Sequence, residues 1–207
     1  MGERNERLRW QLVSGWLHYL HLDRWAERYN RRAVLAGFGL LNAGLSIVLV
    51  SLVALMTQEP FIFPSLGATA FILFHVPLAE SASPRNTFCG HLTGAAVGLL
   101  SLYFFGLYDQ APVYLSGLDT ARVGAAALSL GLTGCLMVLL RVVHPPAGAT
   151  ALIVSLGLMP DPGQLPALMA GVALLLAQAF LMNRLAGIPY PVWSAKKAAS
   201  LNRIASY

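Results

Sequence analysis

The chain has 207 residues, of which 57% are hydrophobic and 11% charged, and its mean hydropathy is +0.63. Soluble domains run at roughly 25% charged and 45–50% apolar residues. These values therefore exclude a soluble globular domain, a disordered chain and a cysteine scaffold, and they predict an all-α polytopic membrane protein. At about 20 residues per helical crossing, the length suits one compact membrane domain.

The net charge of +5 is unevenly placed. Seven of the 14 Lys and Arg residues precede residue 33, and Arg184, Lys196, Lys197 and Arg203 follow the last apolar run. This is the pattern of cytoplasmic flanks and not of a nucleic-acid surface, so no nucleic-acid partner is expected and both termini are predicted to be cytoplasmic. Cys89 and Cys135 sit in apolar segments with no cysteine nearby, which argues for packing residues, with no metal site and no structural disulfide. The polar first 33 residues are unlike a secretory signal, and Glu3 and Glu6 argue against a transit peptide. A bacterial inner membrane is the expected address.

In chain order, residues 1–33 carry Trp10, Leu12, Val13, Trp16, Leu17, Tyr19, Leu20 and Trp25 among arginines, the pattern of a basic amphipathic helical segment lying in the interface. A fully solvated helix would leave three tryptophans without an apolar environment. A transmembrane domain is expected over 34–185. Its apolar runs at about 34–57, 87–107, 119–141 and 164–183 are each long enough to cross as helices. Two shorter runs, about 65–78 and 147–158, each follow a proline break and are too short to cross as helices alone. Residues 186–207 read as a basic cytoplasmic tail.

The short runs are related. Residues 63–72 (FPSLGATAFI) match residues 144–153 (HPPAGATALI) at six of ten positions, and the same offset of 81 superposes the long runs pairwise. Two repeats follow, 34–107 and 115–185, each a long helix, a broken short helix and a long helix. If the short segments cross, the repeats are inverted; if they re-enter, the repeats are parallel. Crossing places Arg85 and Arg141 inside and the connections at 108–118 and 159–163, with Asp109 and Asp161 but no Lys or Arg, outside. That obeys the positive-inside rule, although Arg122 fits poorly. Five extended residues from Val142 plus twelve helical ones span roughly 34 Å, so inverted repeats are expected, with two helix starts meeting near mid-membrane.

A helix start leaves amides unpaired and carries about half a positive charge. Pro64, Pro145 and Pro146 suit early helical positions. The amides of Gly67, Ala68, Thr69, Gly148, Ala149 and Thr150, with the Thr hydroxyls and Ser65, form a predicted donor cradle for a small anion. His144 is a candidate to bond the anion or take its proton, and Arg141 is a vestibule candidate. The simpler reading is tight packing of short helices; duplication of the break favours a transport site. Gly90, Gly94 and Gly98 form a helix-packing stripe, which favours a homo-oligomer if it faces lipid and a monomer if it is buried. His91, Thr93, Asn42 and Gln178 read as interhelical hydrogen-bond partners. No GxSxG, HExxH, Walker A motif or paired acidic residues occur in an apolar run, so neither catalysis, ATP coupling nor a cofactor is expected.

Arg141-Val-Val-His144-Pro145-Pro146-Ala147-Gly148-Ala149-Thr150-Ala151-Leu152 resembles the signature of the HPP family of integral membrane proteins. Pro64 to Ala70 and the stretch Pro84-Arg85-Asn86 to Gly90-His91 also look like that family, and the resemblance covers about residues 34–185. It implies a bacterial or plastid-envelope protein, with nitrite transport as the reported activity of some members. The expected function is a permease for a small anion, nitrite first, with the lipid bilayer and that anion as partners. A non-transporting membrane scaffold or partner subunit, and a channel for another small solute such as a neutral acid, are the alternatives.

Overall fold

The computed structural model describes residues 20–58, 63–159 and 161–195. The described residues are helical without strands. In chain order the helices are α1 (Leu22–Arg28), α2 (Arg31–Thr57), α3 (Pro64–His75), α4 (Pro84–Phe104), α5 (Val113–Ser116), α6 (Thr120–Leu139), α7 (Pro146–Ser155) and α8 (Leu165–Leu185). Helices α2, α4, α6 and α8 are long and apolar enough to cross a membrane. They lie within three residues of the expected runs.

Local chemistry sets the boundaries. The Asn30 side chain accepts hydrogen bonds from the amides of Arg32 and Ala33 and starts α2 three residues early, inside the segment expected to be interfacial. Proline occupies the start of α3, α4 and α7, where its missing N–H leaves nothing unsatisfied. Ser83 caps α4 and Asp119 caps α6 through the Arg122 amide. Helix α7 has ten residues where twelve were expected, because Gly157 (φ +74°) turns the chain after Ser155. Most of the expected interfacial segment, including Trp10 and Trp16, and the tail beyond 195 lie outside the described residues. Within it, α1 has no buried residue and Trp25 stacks on Tyr29.

Helix α4 is the least apolar and most enclosed of the long helices, with α6, α7 and α8 packed against it. Its glycine stripe makes this possible. A Cβ at Gly90 would lie 2.8 Å from the His144 Cβ, one at Gly94 would overlap the Ala147 carbonyl oxygen, and one at Gly98 would lie 2.6 Å from the Val154 Cβ. The stripe thus seats α7 within the same chain.

Cross-bundle contacts gather the helix ends into two groups. At one end the Leu22 amide bonds the Ala186 carbonyl beyond α8, and the Arg85 guanidinium bonds the Leu140 and Arg141 carbonyls beyond α6. There too Arg31 at the start of α2 and residues 76–79 after α3 line one cavity with residues 186–189. At the other end Gly124 of α6 lies against Phe105 after α4, and the Val113 amide bonds the Leu156 carbonyl after α7. Arg122, which fits the loop-charge pattern poorly, is here fully buried: its guanidinium donates to the carbonyls of Ala111 (2.7 Å), Gln110 (3.5 Å) and Ser155 (3.5 Å). Helix ends leave carbonyls unpaired, and both Arg85 and Arg122 satisfy them.

The described part of the expected tail is anchored at Tyr190 and Trp193. Tyr190 is fully buried and its hydroxyl donates to the Ala82 carbonyl, while the Arg85 amide bonds the Trp193 carbonyl. Burial raises the Tyr190 pKa above its ordinary value, so the folded state gains nothing from ionisation and stability falls as pH rises beyond about 10, where the unfolded phenol ionises. Tyr190→Phe is expected to cost about 1 kcal/mol, read as a melting-temperature drop of a few degrees, and to remove part of that alkaline sensitivity.

Candidate functional site

A connected cluster of buried polar side chains sits where α3, α4 and α7 meet. His91, on the second turn of α4, lies at its centre and is fully buried. Its Nε2 lies 2.7 Å from Thr69 Oγ1 of α3, and its Nδ1 lies 2.7 Å from Thr150 Oγ1 of α7. Thr69 and Thr150 are the two threonines superposed by the offset of 81. Hydroxyls at matching positions of the two similar segments therefore grip the two nitrogens of one imidazole.

His144, immediately before the Pro145-Pro146 pair, completes the cluster. Its Nε2 lies 3.1 Å from Thr69 Oγ1 and 3.2 Å from His91 Nε2, and the two rings meet edge to face at 4.8 Å. Its Nδ1 lies 2.8 Å from the Ser81 carbonyl and 3.5 Å from Thr87 Oγ1. A carbonyl can only accept, so His144 Nδ1 carries a proton and, in the neutral ring, Nε2 is an acceptor. One arrangement then satisfies every member. Thr150 donates to His91 Nδ1, His91 Nε2–H donates to Thr69 Oγ1, and Thr69 donates to His144 Nε2.

The sequence-derived candidates divide in a definite way. Ser65, Thr69, His144, Pro146 and Thr150 are buried; Pro64, Ala68, Pro145 and Arg141 are exposed; Gly67, Gly148 and Ala149 are half-buried. The atoms that converge differ from those expected. Ala68, Thr69 and Thr150 are the fifth or sixth residues of their helices, past the four amides that a helix start leaves free. The Gly148 amide donates to the Pro145 carbonyl. The groups seen to converge are side-chain hydroxyls and imidazoles. A Cβ at Gly67 would meet nothing within 4 Å, whereas one at Gly148 would lie 3.0 Å from Leu130 Cδ1. Gly67→Ala is therefore expected to leave stability equal or higher by up to about 1 kcal/mol, checked by thermal unfolding.

Ser65 Oγ, one turn before Thr69, is fully buried and makes no hydrogen bond among the described residues. Arg141 has a left-handed backbone (φ +52°) and presents its carbonyl to Arg85. Thr93 bonds its own helix at the Cys89 carbonyl and takes no part in the cluster. Asn42 receives the Gln178 amide at its backbone carbonyl, linking α2 to α8. Cys89 is half-buried, Cys135 is exposed, and both are free thiols.

No Asp or Glu is buried among the described residues, and no group of three or more metal-ligating side chains occurs there. Two cavities of about 660 and 550 Å³ lie along α2 and α3, lined by residues such as Phe38, Phe74 and His75. Neither is lined by a cluster residue. The cluster is closed.

Residues 28–191 match the family described as the HPP transmembrane region. The chain belongs to that family. The HPP match spans the described helices from the end of α1 through α8, and so contains the whole cluster. Two transmembrane proteins of Dictyostelium discoideum are similar to this HPP-family chain. One is 32% identical over 121 residues, 56% of this chain and 36% of the relative; the other is 36% identical over 104 residues, 50% of this chain and 33% of the relative. The aligned part thus makes up about a third of these relatives' length. No solved structure matches.

His91 reads from the sequence as an interhelical hydrogen-bond partner, which its bonds to Thr69 and Thr150 bear out; it carries no repeat signature that would make it a site residue. The signal for it is positional: Thr87 and His91 are one turn apart on α4, beside the glycine stripe that seats α7.

Proposed function

We propose that the protein is a permease for a small inorganic anion, nitrite first, bound among Thr69, Thr150, His91 and His144. The observation that carries this reading is the double grip on His91 by repeat-related threonines. Packing alone does not require the same hydroxyl from both repeats to reach one buried imidazole.

The chemistry favours an anion. The side chains that converge are hydrogen-bond donors or can become so, Ser65 Oγ is a further buried hydroxyl on the same face of α3, and buried carboxylates are absent among the described residues. A cation would find no counter-charge there. Nitrite is small, monovalent and an acceptor at both oxygens, and family resemblance points the same way.

The grouping of helix ends supports inverted repeats. Helix α3 ends beside the start of α2, while α7 ends beside the start of α6 at the opposite end of the bundle. The two short helices then run in opposite directions, each with the polarity that a crossing segment requires. The end bearing Arg31, Arg85 and Arg141 is assigned to the cytoplasm. Closure of the cluster favours a carrier that alternates between two packings over a permanently open pore.

Uptake of labelled nitrite into proteoliposomes tests the reading. Saturable influx well above protein-free vesicles is expected. Influx no greater than in protein-free vesicles, under every gradient applied, would favour the scaffold alternative.

A further inference from the structure

We infer that one proton binds the His91–His144 pair with each anion, so that transport is an electroneutral proton–anion symport. The inference rests on the permease reading and specifies its co-substrate.

The first argument is charge. Moving a bare anion from water into a membrane interior is prohibitive unless the site neutralises it. No permanent cation faces the cluster from the elements around it. The Arg85 guanidinium is turned to the Leu140 and Arg141 carbonyls, that of Arg122 to carbonyls at the far end of α7, and the side chains of Arg141, Glu80 and His75 are exposed. On α3, α4, α7 and the turn at residues 80–82, the buried groups able to gain positive charge are His91 and His144.

The second argument is geometric. In the neutral network each donor has an acceptor and the site needs no ligand. Because the Ser81 carbonyl keeps a proton on His144 Nδ1, an added proton on this ring must go to Nε2. Two N–H groups then face each other, from nitrogens 3.2 Å apart, with Thr69 Oγ1 as the shared neighbour. Thr69 Oγ1 is then their one shared acceptor, its own hydrogen turned to the Ser65 carbonyl at 3.0 Å, and nothing there balances the added charge. An anion entering between the rings supplies the opposite charge, accepts from both Nε2–H groups and lets the Thr69 hydroxyl donate to it as well. Proton binding creates the anion site and anion binding stabilises the proton, and linkage makes this cooperativity reciprocal. A pair this close holds one added proton, because a second would place two like charges in contact. The balance is one proton and one anion bound on one side and both released on the other.

The test uses the full-length protein in liposomes with a pH-sensitive dye inside and the membrane potential clamped by potassium and valinomycin. Nitrite is the first probe and nitrate the second, because nitrate does not form a neutral acid at working pH. An acid-outside gradient is expected to drive accumulation, with one proton entering per anion and no response to the clamped potential. His91→Gln and His144→Gln are expected to lose at least about tenfold of this gradient-driven accumulation. Potential-driven uptake without proton entry would overturn the symport and leave the permease standing. Unchanged proton coupling in both folded variants would overturn the role of the pair. Absence of flux for both anions in wild type would overturn the permease reading itself. If the variants fail to fold, the wild-type stoichiometry still decides.

Discussion

Gly94→Ala is expected to cause the largest loss of stability of any single methyl addition in the bundle, about 3 kcal/mol, with transport abolished. The added Cβ would overlap the Ala147 carbonyl oxygen and come within 3.2 Å of its carbon. A backbone atom in the first turn of α7 cannot rotate away as a side-chain tip can. Overpacking of this kind costs about 1–3 kcal/mol where neighbours adjust, and here adjustment means moving a helix. That shift also withdraws Thr150 from His91. Gly98→Ala, facing Val154 Cβ at 2.6 Å and the Ala151 carbonyl at 2.9 Å, is expected to follow closely, while Gly67→Ala is the tolerated comparison. Thermal unfolding in detergent, with uptake measured in parallel, checks the series; a Gly94→Ala melting temperature within a degree of wild type would contradict the close packing of α4 on α7.

Loss of the central imidazole has the second large effect. His91→Phe retains an aromatic ring but takes from Thr150 its nitrogen partner and from Thr69 the nearer of its two, leaving Thr69 only His144. An unpaired buried hydroxyl costs about 1–3 kcal/mol, and tenfold in an equilibrium corresponds to about 1.4 kcal/mol. Initial uptake is therefore expected to fall by roughly ten- to a hundredfold. Thr93→Val supplies the contrast on the same helix. Its hydroxyl serves only the Cys89 carbonyl one turn back, and uptake within about twofold of wild type is expected. Equal losses in the two variants would mean that polarity along α4 matters only for helix packing.

Much of this architecture was legible in hydropathy and proline placement. The long helices are apolar over a crossing length, and proline marks the start of both short ones, so their limits emerge within a few residues. The internal match over residues 63–72 and 144–153 puts Thr69 and Thr150 in corresponding positions. Three things were not legible. The sequence puts the amides of Thr69 and Thr150 at a helix start, but the helices begin at Pro64 and Pro146, which moves both threonines beyond the first turn. His91 has no repeat partner, and although interhelical hydrogen bonding was legible for it, the grip on both its nitrogens arises only when Gly90 and Gly94 let α7 approach α4. Residues 186–193, read as tail from their position after the last apolar run, are held by Tyr190 and by the Trp193 carbonyl, long-range contacts that composition does not encode.

The central claim, that corresponding hydroxyls from two repeats act jointly on one anion, is tested most directly by a double-mutant cycle on uptake. Wild type, Thr69→Val, Thr150→Val and the double variant are compared at one nitrite concentration, with folding verified for each. Valine keeps the shape and removes the hydroxyl. The account predicts that each single change lowers uptake about tenfold and that the double variant loses far less than the product of the two, as expected for groups sharing one site. Uptake by the double variant at the wild-type rate would contradict it.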